Sequence, residues 1–253
     1  MAPNVAEEDL WIRCFHPAPQ RPISLFCLPH AGGSASNYFA FSAAVGEVAE
    51  VFAVQYPGRQ DRWQDKPLAD LRELAAPIAD ALAAWGERPL ALFGHSMGSA
   101  LAFELTRSLE QRGIEPLHLF ASGGRAPALP RDEKIHLLDD EGLITEMKAL
   151  GGTDPRLFDE PDLLEMVLPA VRADYTAIET YLAEPGATVR APITVLTGEA
   201  DPRTTVEQAK GWQQHTTGEF DLRVFPGGHF FLYDQVPEIA RTVLDRLRSD
   251  QPG

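Results

Sequence analysis

The sequence predicts an α/β fold, a mostly parallel sheet with helices on both faces, and three observations carry that prediction. Short apolar runs alternate with helical stretches along most of the 253 residues, the pattern that buries parallel strands between two helical layers. A glycine-flanked serine stands between one such strand and the helix that follows. Residues 126 to 190 hold helical patterns and no convincing strand, as an insertion between two sheet strands would. The length suits one domain spanning residues 1 to 253, large enough to bury a core without staples.

Leu10 to Phe15 and Ile23 to Leu28 read as the first two strands, joined by a turn containing Pro17, Pro19 and Pro22. A helix over 36 to 45 and a strand at Val51 to Gln55 follow. Leu71, Leu74, Ile78, Leu82 and Trp85 keep helical spacing, with Pro77 implying a kink or a late start. The strand Pro89 to Phe93 leads to the serine, the helix from Ser99 ends near Gly113, and Leu117 to Ala121 is the next strand. Within the insertion, a short helix runs through Leu143 and Met147 to Gly151. Leu163, Leu164, Val167, Leu168, Val171, Tyr175 and Ile178 mark one face of a long one. Ile193 to Thr197 and Leu222 to Phe225 are strands with a helix between them, and a closing helix covers about Pro237 to Leu247. Residues 1 to 8 and the last few are expected to fray.

Lys plus Arg number 22 against 37 Asp plus Glu, a formal charge of −15 that repels nucleic acid and anionic membrane surfaces. Arg59, Arg62, Arg125, Arg131 and Lys134 could form a local basic patch, but scattered solvated charges are the better expectation. Cys14 and Cys27 fall in strand-like runs and read as small core residues of a reduced protein. No stretch reaches membrane-span length, and Glu7, Glu8 and Asp9 stand where a secretory signal would be basic. A soluble, cytoplasmic protein is expected. His136, Asp139, Asp140 and Glu141 are better read as capping the following helix than as a metal site.

Gly94-His95-Ser96-Met97-Gly98 is a G-x-S-x-G sequence in a strand-turn-helix context. A serine there sits on a sharp, strained turn, and only small residues two places either side let strand and helix approach. A serine hydroxyl needs a base, and the base an orienting acid. Asp201, just beyond the strand Ile193 to Thr197, would emerge at the carboxyl edge of the sheet; Glu199 competes, and Asp201 is favoured because a shorter side chain further along the loop can reach back to an imidazole. His229 follows the last strand at the same edge, 28 residues after Asp201, whereas His118 lies in a strand, His215 on a polar helix end, His16 in the first turn and His136 in the insertion. Ser, Asp, His is the order of an α/β-hydrolase fold. An oxyanion hole needs two backbone N–H groups. Met97 supplies one, and Ala31 the other, from Leu28-Pro29-His30-Ala31-Gly32-Gly33, which is similar to the HGGG loops of lipases and esterases. His30 is read as a packing and hydrogen-bonding element of that loop. The insertion is then a helical lid at about 126 to 190.

Four stretches together resemble the type II thioesterases of polyketide and non-ribosomal peptide assembly lines: Leu28 to Gly33 with Tyr38-Phe39, Gln55-Tyr56-Pro57-Gly58-Arg59, Gly94 to Gly98, and Gly227-Gly228-His229-Phe230-Phe231. The resemblance spans about Phe26 to Leu232. It departs at Glu199, where a G-D-x-D-P stretch would carry aspartate. The resemblance implies an editing enzyme that cleaves acyl thioesters from the phosphopantetheine arm of acyl or peptidyl carrier domains. It further implies no cofactor of the enzyme's own, a preference for short acyl groups, and a lid that shapes the acyl pocket and admits the arm; a monomer is expected. The triad alone equally permits a carboxylesterase or lipase, or an acyltransferase that passes the acyl group to another nucleophile. A non-catalytic carrier-binding module would have no need of all three triad residues.

Overall fold

The computed structural model describes residues 10–85, 88–153 and 155–250; the termini expected to fray lie outside these. In chain order the elements are β1 (Ile12–Arg13), β2 (Ile23–Leu28), α1 (Phe39–Val45), β3 (Ala49–Val54), α2 (Leu71–Ala83), β4 (Leu90–His95), α3 (Met97–Gln111), β5 (Leu119–Ser122), α4 (Asp140–Leu150), α5 (Pro161–Thr180), β6 (Ile193–Gly198), α6 (Val206–Lys210), β7 (Phe220–Phe225), α7 (Phe231–Asp234) and α8 (Val236–Ser249). The seven strands form one sheet in the order β1-β3-β2-β4-β5-β6-β7. β1 pairs antiparallel with β3, and every other neighbour is parallel. This is the α/β-hydrolase fold.

Alternation along the central strands builds the two layers. Phe26 and Leu28 of β2 pack with residues of α2 and α3 on one face, while Ile23, Leu25 and Cys27 pack with α1 and α8 on the other. Every residue of β2, β3, β4, β5 and β6 is buried, as expected of parallel strands covered on both faces. The insertion between β5 and β6 carries α4 and α5, whose Leu143, Met147, Leu168 and Val171 form a small cluster of their own with Ile135.

Several expectations need correction. The stretch 36 to 45 divides into a 3-10 turn, Ala35–Tyr38, and α1. α2 starts at Leu71, well before Pro77, because Asp70 accepts hydrogen bonds from the Arg72 and Glu73 N–H groups and caps it. α3 starts at Met97 and not at Ser99, directly from Ser96. The apolar face of α5 is buried only from Leu168 onward; Leu163 and Met166 in its first turns are exposed. Of the two cysteines, Cys27 is fully buried and Cys14 half-buried, both as free thiols. Arg59, Arg62 and Arg125 are not solvated but buried, held by Asp174, by Asp65 with the Gln55 carbonyl, and by Glu133 respectively. Arg131 is half-buried and Lys134 exposed.

Candidate active site

Four loops leave the carboxyl ends of β2, β4, β6 and β7 and meet above the sheet. Ser96 has φ 55° and ψ −114°, a conformation that costs a non-glycine residue about 1–3 kcal/mol. Its neighbours explain why the turn can be so tight. A Cβ added to Gly94 would stand 2.0 Å from the Gly98 carbonyl oxygen, and one added to Gly98 would stand 2.1 Å from that of Leu28. The β6 and β7 loops touch backbone to backbone in the same way: the Glu199 and Ala200 N–H groups donate to the Phe225 and Gly227 carbonyls at 2.8 and 3.0 Å. A Cβ on Gly198 would lie 2.4 Å from the Gly228 oxygen.

These loops bring Ser96, His229 and Asp201 together. His229 Nδ1 lies 2.9 and 3.0 Å from the two carboxylate oxygens of Asp201, and His229 Nε2 lies 2.9 Å from Ser96 Oγ. A carboxylate only accepts, so Nδ1 carries the proton and Nε2 is left to accept from the serine hydroxyl. Asp201 Oδ1 also accepts from the Arg203 and Thr204 N–H groups at 2.8 and 3.2 Å, which fixes the carboxylate. Glu199 is exposed and does not enter the set. The other histidines are engaged elsewhere. His16 bonds Ser42, His118 bonds Asp250 and Thr194 from just before β5, and His136 bonds Glu179. His215 is buried rather than on a polar surface, and its Nδ1 donates to the Ala187 carbonyl at 2.8 Å.

Two more histidines crowd the base. The His30 and His95 rings lie against Phe230, with centroids 4.7 and 5.6 Å away. Burial, reinforced by nearby His229, lowers His30 to about 3 and holds His95 well below the ordinary imidazole range. Both are neutral at physiological pH.

The loop 28 to 35 is tied down almost peptide by peptide. The Leu28 carbonyl accepts from Tyr38 Oη at 2.8 Å and the Pro29 carbonyl from Tyr56 Oη at 3.0 Å. The Gly32 N–H donates to Asp174 at 2.7 Å, the Gly33 carbonyl accepts from Arg59 at 2.9 Å, and the Ala35 N–H donates to the Gln55 side chain at 2.9 Å. The Ala31 N–H makes no hydrogen bond to another described residue. Met97 opens α3, where the N–H has no intrahelical partner. Asp174, Tyr38 and Tyr56 carry no role in the sequence reading and Arg59 only that of a surface charge, although Tyr38 and the Gln55 to Arg59 stretch lie within the motifs it singles out.

A cleft opens at Ser96, lined by Ala31, Arg131, Tyr175, Ile178, His229 and Phe230. Burial, with Arg125 close by, lowers Arg131 to about 10, so its guanidinium stays charged at neutral pH. In the segment considered for metal binding, Asp139 caps α4 through the Gly142 N–H, and Asp140 pairs with Arg172 at 2.6 Å. Among the described residues no group of three or more His, Cys, Asp or Glu is arranged to hold a metal ion, and no helix is long and apolar enough to cross a membrane.

Fold and site together define an α/β hydrolase. Residues 23–247 match the family model described as thioesterase domain, and the chain belongs to the thioesterase family. It is 47% identical to the thioesterase PikA5 of Streptomyces venezuelae over 247 residues, covering 97% of this chain and 88% of that protein. Among solved structures it resembles BorB, the type II thioesterase of the borrelidin biosynthetic cluster, at TM-score 0.89 and 45% identity, covering 96% of this chain and 99% of that one. It also resembles YbtT, the type II thioesterase of the yersiniabactin pathway, at TM-score 0.85 and 30% identity, covering 95% and 99%. The chain is thus an enzyme that hydrolyses thioesters, of the type II group that serves polyketide and non-ribosomal peptide biosynthesis.

Proposed function

We propose that the protein removes acyl groups from the phosphopantetheine arm of acyl or peptidyl carrier domains through an acyl-Ser96 intermediate, clearing aberrant or stalled chains. The hydrogen-bonded line Asp201, His229, Ser96 beside the unpartnered Ala31 N–H supports the acyl-serine chemistry, and the likeness to type II thioesterases supports a carrier-bound thioester as its substrate. Ser96 Oγ attacks the thioester carbonyl carbon as its proton passes to His229 Nε2, and Asp201 stabilises the imidazolium. The Ala31 and Met97 N–H groups hold the oxyanion. Collapse breaks the C–S bond, and the carrier thiol leaves with the proton that His229 Nε2 returns to its sulfur; a thiolate is a good leaving group, so the demand on His229 as an acid is small. Water then gives a proton to His229 and its hydroxide adds to the acyl-serine. The C–O bond breaks, Ser96 Oγ recovers its proton from His229, and the free acid is released.

The enzyme needs no cofactor of its own in this scheme, since phosphopantetheine arrives with the substrate. The lid helices α4 and α5 shape the acyl pocket, and the protein works as a cytoplasmic monomer. The test is thiol release from a short acyl group on a phosphopantetheinylated carrier domain, with the Ser96→Ala protein and the matching oxygen ester alongside. Release that depends on Ser96, by about 10³-fold or more, and exceeds ester cleavage is expected. Preference for the oxygen ester would move the function to a carboxylesterase. Acyl transfer to an added alcohol or amine in place of water would make it an acyltransferase.

A further inference from the structure

The segment from the oxyanion loop to the lid is joined by one buried ion pair that the triad chemistry does not use. Asp174, from the middle of α5, is 2% exposed and Arg59, from the loop after β3, 7%. Arg59 meets the carboxylate with both terminal nitrogens, at 2.6 and 2.8 Å. The same Asp174 oxygen that accepts the 2.6 Å bond also accepts from the Gly32 N–H at 2.7 Å, and the same Arg59 nitrogen donates to the Gly33 carbonyl at 2.9 Å. Two consecutive residues of the loop, directly after Ala31, are therefore gripped by the two members of the pair. Gly32 has φ +76°, and a Cβ there would stand 3.3 Å from Val171, one turn before Asp174 on α5. The loop is moulded against the lid helix, with a glycine at the point of contact.

Arg59 itself is held from behind: its Nε donates to the Pro57 carbonyl at 3.3 Å, and its own carbonyl accepts from Gln55 at 3.2 Å. Burial opposes its charge, but Asp174 more than offsets this and raises it above the ordinary guanidinium value. A buried pair of this kind is often no more stabilising than apolar side chains of similar volume. Its distinctive contribution here is geometry, because charge-assisted and bidentate bonds fix direction.

We infer that Asp174, clamped by Arg59, is a positioning residue that presents the Ala31 N–H to the Ser96 cleft, so that seating of the lid helix and formation of the oxyanion hole are one event. This rests on the assignment of Ala31 to the oxyanion hole. A lid helix displaced from the loop takes with it the acceptor for Gly32 and leaves Arg59 buried without its partner. The hole then loses its shape when the lid is unseated, and an acyl-serine exposed to bulk water is not attacked efficiently until the lid is back in place.

The test is hydrolysis of a short acyl-pantetheine thioester and of the matching p-nitrophenyl ester by the full-length protein and its Arg59→Lys and Asp174→Asn variants. Each is paired with the Ki of a trifluoromethyl ketone analogue, which forms a tetrahedral adduct on Ser96. Removal of an oxyanion donor outright lowers kcat by about 10²–10³. Misplacement of one is expected to lower kcat about 10- to 100-fold in Asp174→Asn and about 3- to 10-fold in Arg59→Lys, with KM within about threefold and the ketone Ki rising in step. Folded variants whose kcat stays within about twofold, or whose losses lie in KM or melting temperature alone, overturn the inference. Arg59→Lys keeps the positive charge beside Asp174 and carries the test if Asp174→Asn does not fold. Turnover surviving in Ser96→Ala would sink the acyl-serine reading, whereas an inactive Ser96→Ala beside an unimpaired Asp174→Asn would sink the clamp alone.

Discussion

His229 reaches Ser96 and Asp201 with its two ring nitrogens at the same time, so the identity of the group on Nδ1 decides the tautomer. Asp201→Asn can present an amide N–H to that nitrogen and select the wrong tautomer; kcat is expected to fall about 10⁴-fold with the geometry intact. Glu199→Gln, two positions before Asp201, should leave kcat within about threefold. Steady-state kinetics on one thioester distinguish the two acids. A second expectation concerns His30 and His95, both held neutral. Their folded pKa values lie below the unfolded value of about 6.5, so the unfolded chain binds more protons as pH drops. Their contribution to stability is complete above about pH 6.5 and is lost as pH falls from there toward the folded values, near 3 for His30. Urea unfolding at pH 7.5, 6.5, 5.5 and 5.0 should show stability falling by up to about 1.4 kcal/mol per pH unit per histidine below pH 6. His95→Asn should reduce that slope, and a flat profile would contradict the burial of both rings. Ser96, Asp201 and His229 are legible in the sequence because each stands just past an apolar strand, where local context tells its position. Arg59 and Asp174 are 115 residues apart, and nothing local marks either as buried. A lone arginine in a loop reads as a solvated charge, so the clamp emerges only when the lid is folded over the loop.

The β4-to-α3 turn and the lid pair α4 and α5 make opposite demands on the chain. The turn is built on backbone contact with no slack. Gly98→Ala would drive a Cβ into the Leu28 carbonyl, backbone that cannot rotate away, and should destabilise by about 3 kcal/mol or more or prevent folding; chemical unfolding of the variant measures it. The lid has a separate small core. Leu143→Ala should cost about 2–5 kcal/mol within that cluster. Its effect should fall chiefly on hydrogen exchange over 135 to 171, with the sheet amides protected as before. Equal loss of protection in β4 and β5 would mean that lid and sheet unfold as one unit. Strands and most helices were legible from period and length. The errors fall at ends, where a cap or a strained residue decides: α3 begins at Met97 because Ser96 turns the chain in a single step, and α2 begins at Leu71 because Asp70 caps it ahead of Pro77. The apolar period of α5 predicts the helix, but periodicity does not say which turns another element covers, and Leu163 and Met166 stay about half exposed, at 48% and 50%.

At the scale of the molecule, the sheet order β1-β3-β2-β4-β5-β6-β7 places the Ala31 loop after β2 next to Ser96 after β4, and Asp201 and His229 after β6 and β7 on the other side. In the proposed reaction the gap between these strand ends receives the substrate carbonyl. The insertion between β5 and β6 holds the loop after β2 through Asp174, which accepts from the Gly32 N–H. If the partner is the acidic carrier domain proposed above, the net charge of −15 makes association dependent on local contacts, and binding that strengthens with added salt is the expected sign of that repulsion. Affinity of the Ser96→Ala protein for an acyl-carrier domain, measured across ionic strength, checks it. The most direct measurement of the central claim is intact-mass spectrometry of the enzyme quenched during turnover of a short acyl-carrier thioester, with peptide mapping of any adduct. The account predicts an acyl mass on Ser96 that appears with free carrier thiol, decays to unmodified enzyme, and is absent from Ser96→Ala. Carrier thiol released at full rate with no adduct on Ser96, or from Ser96→Ala as fast as from the wild type, would contradict it.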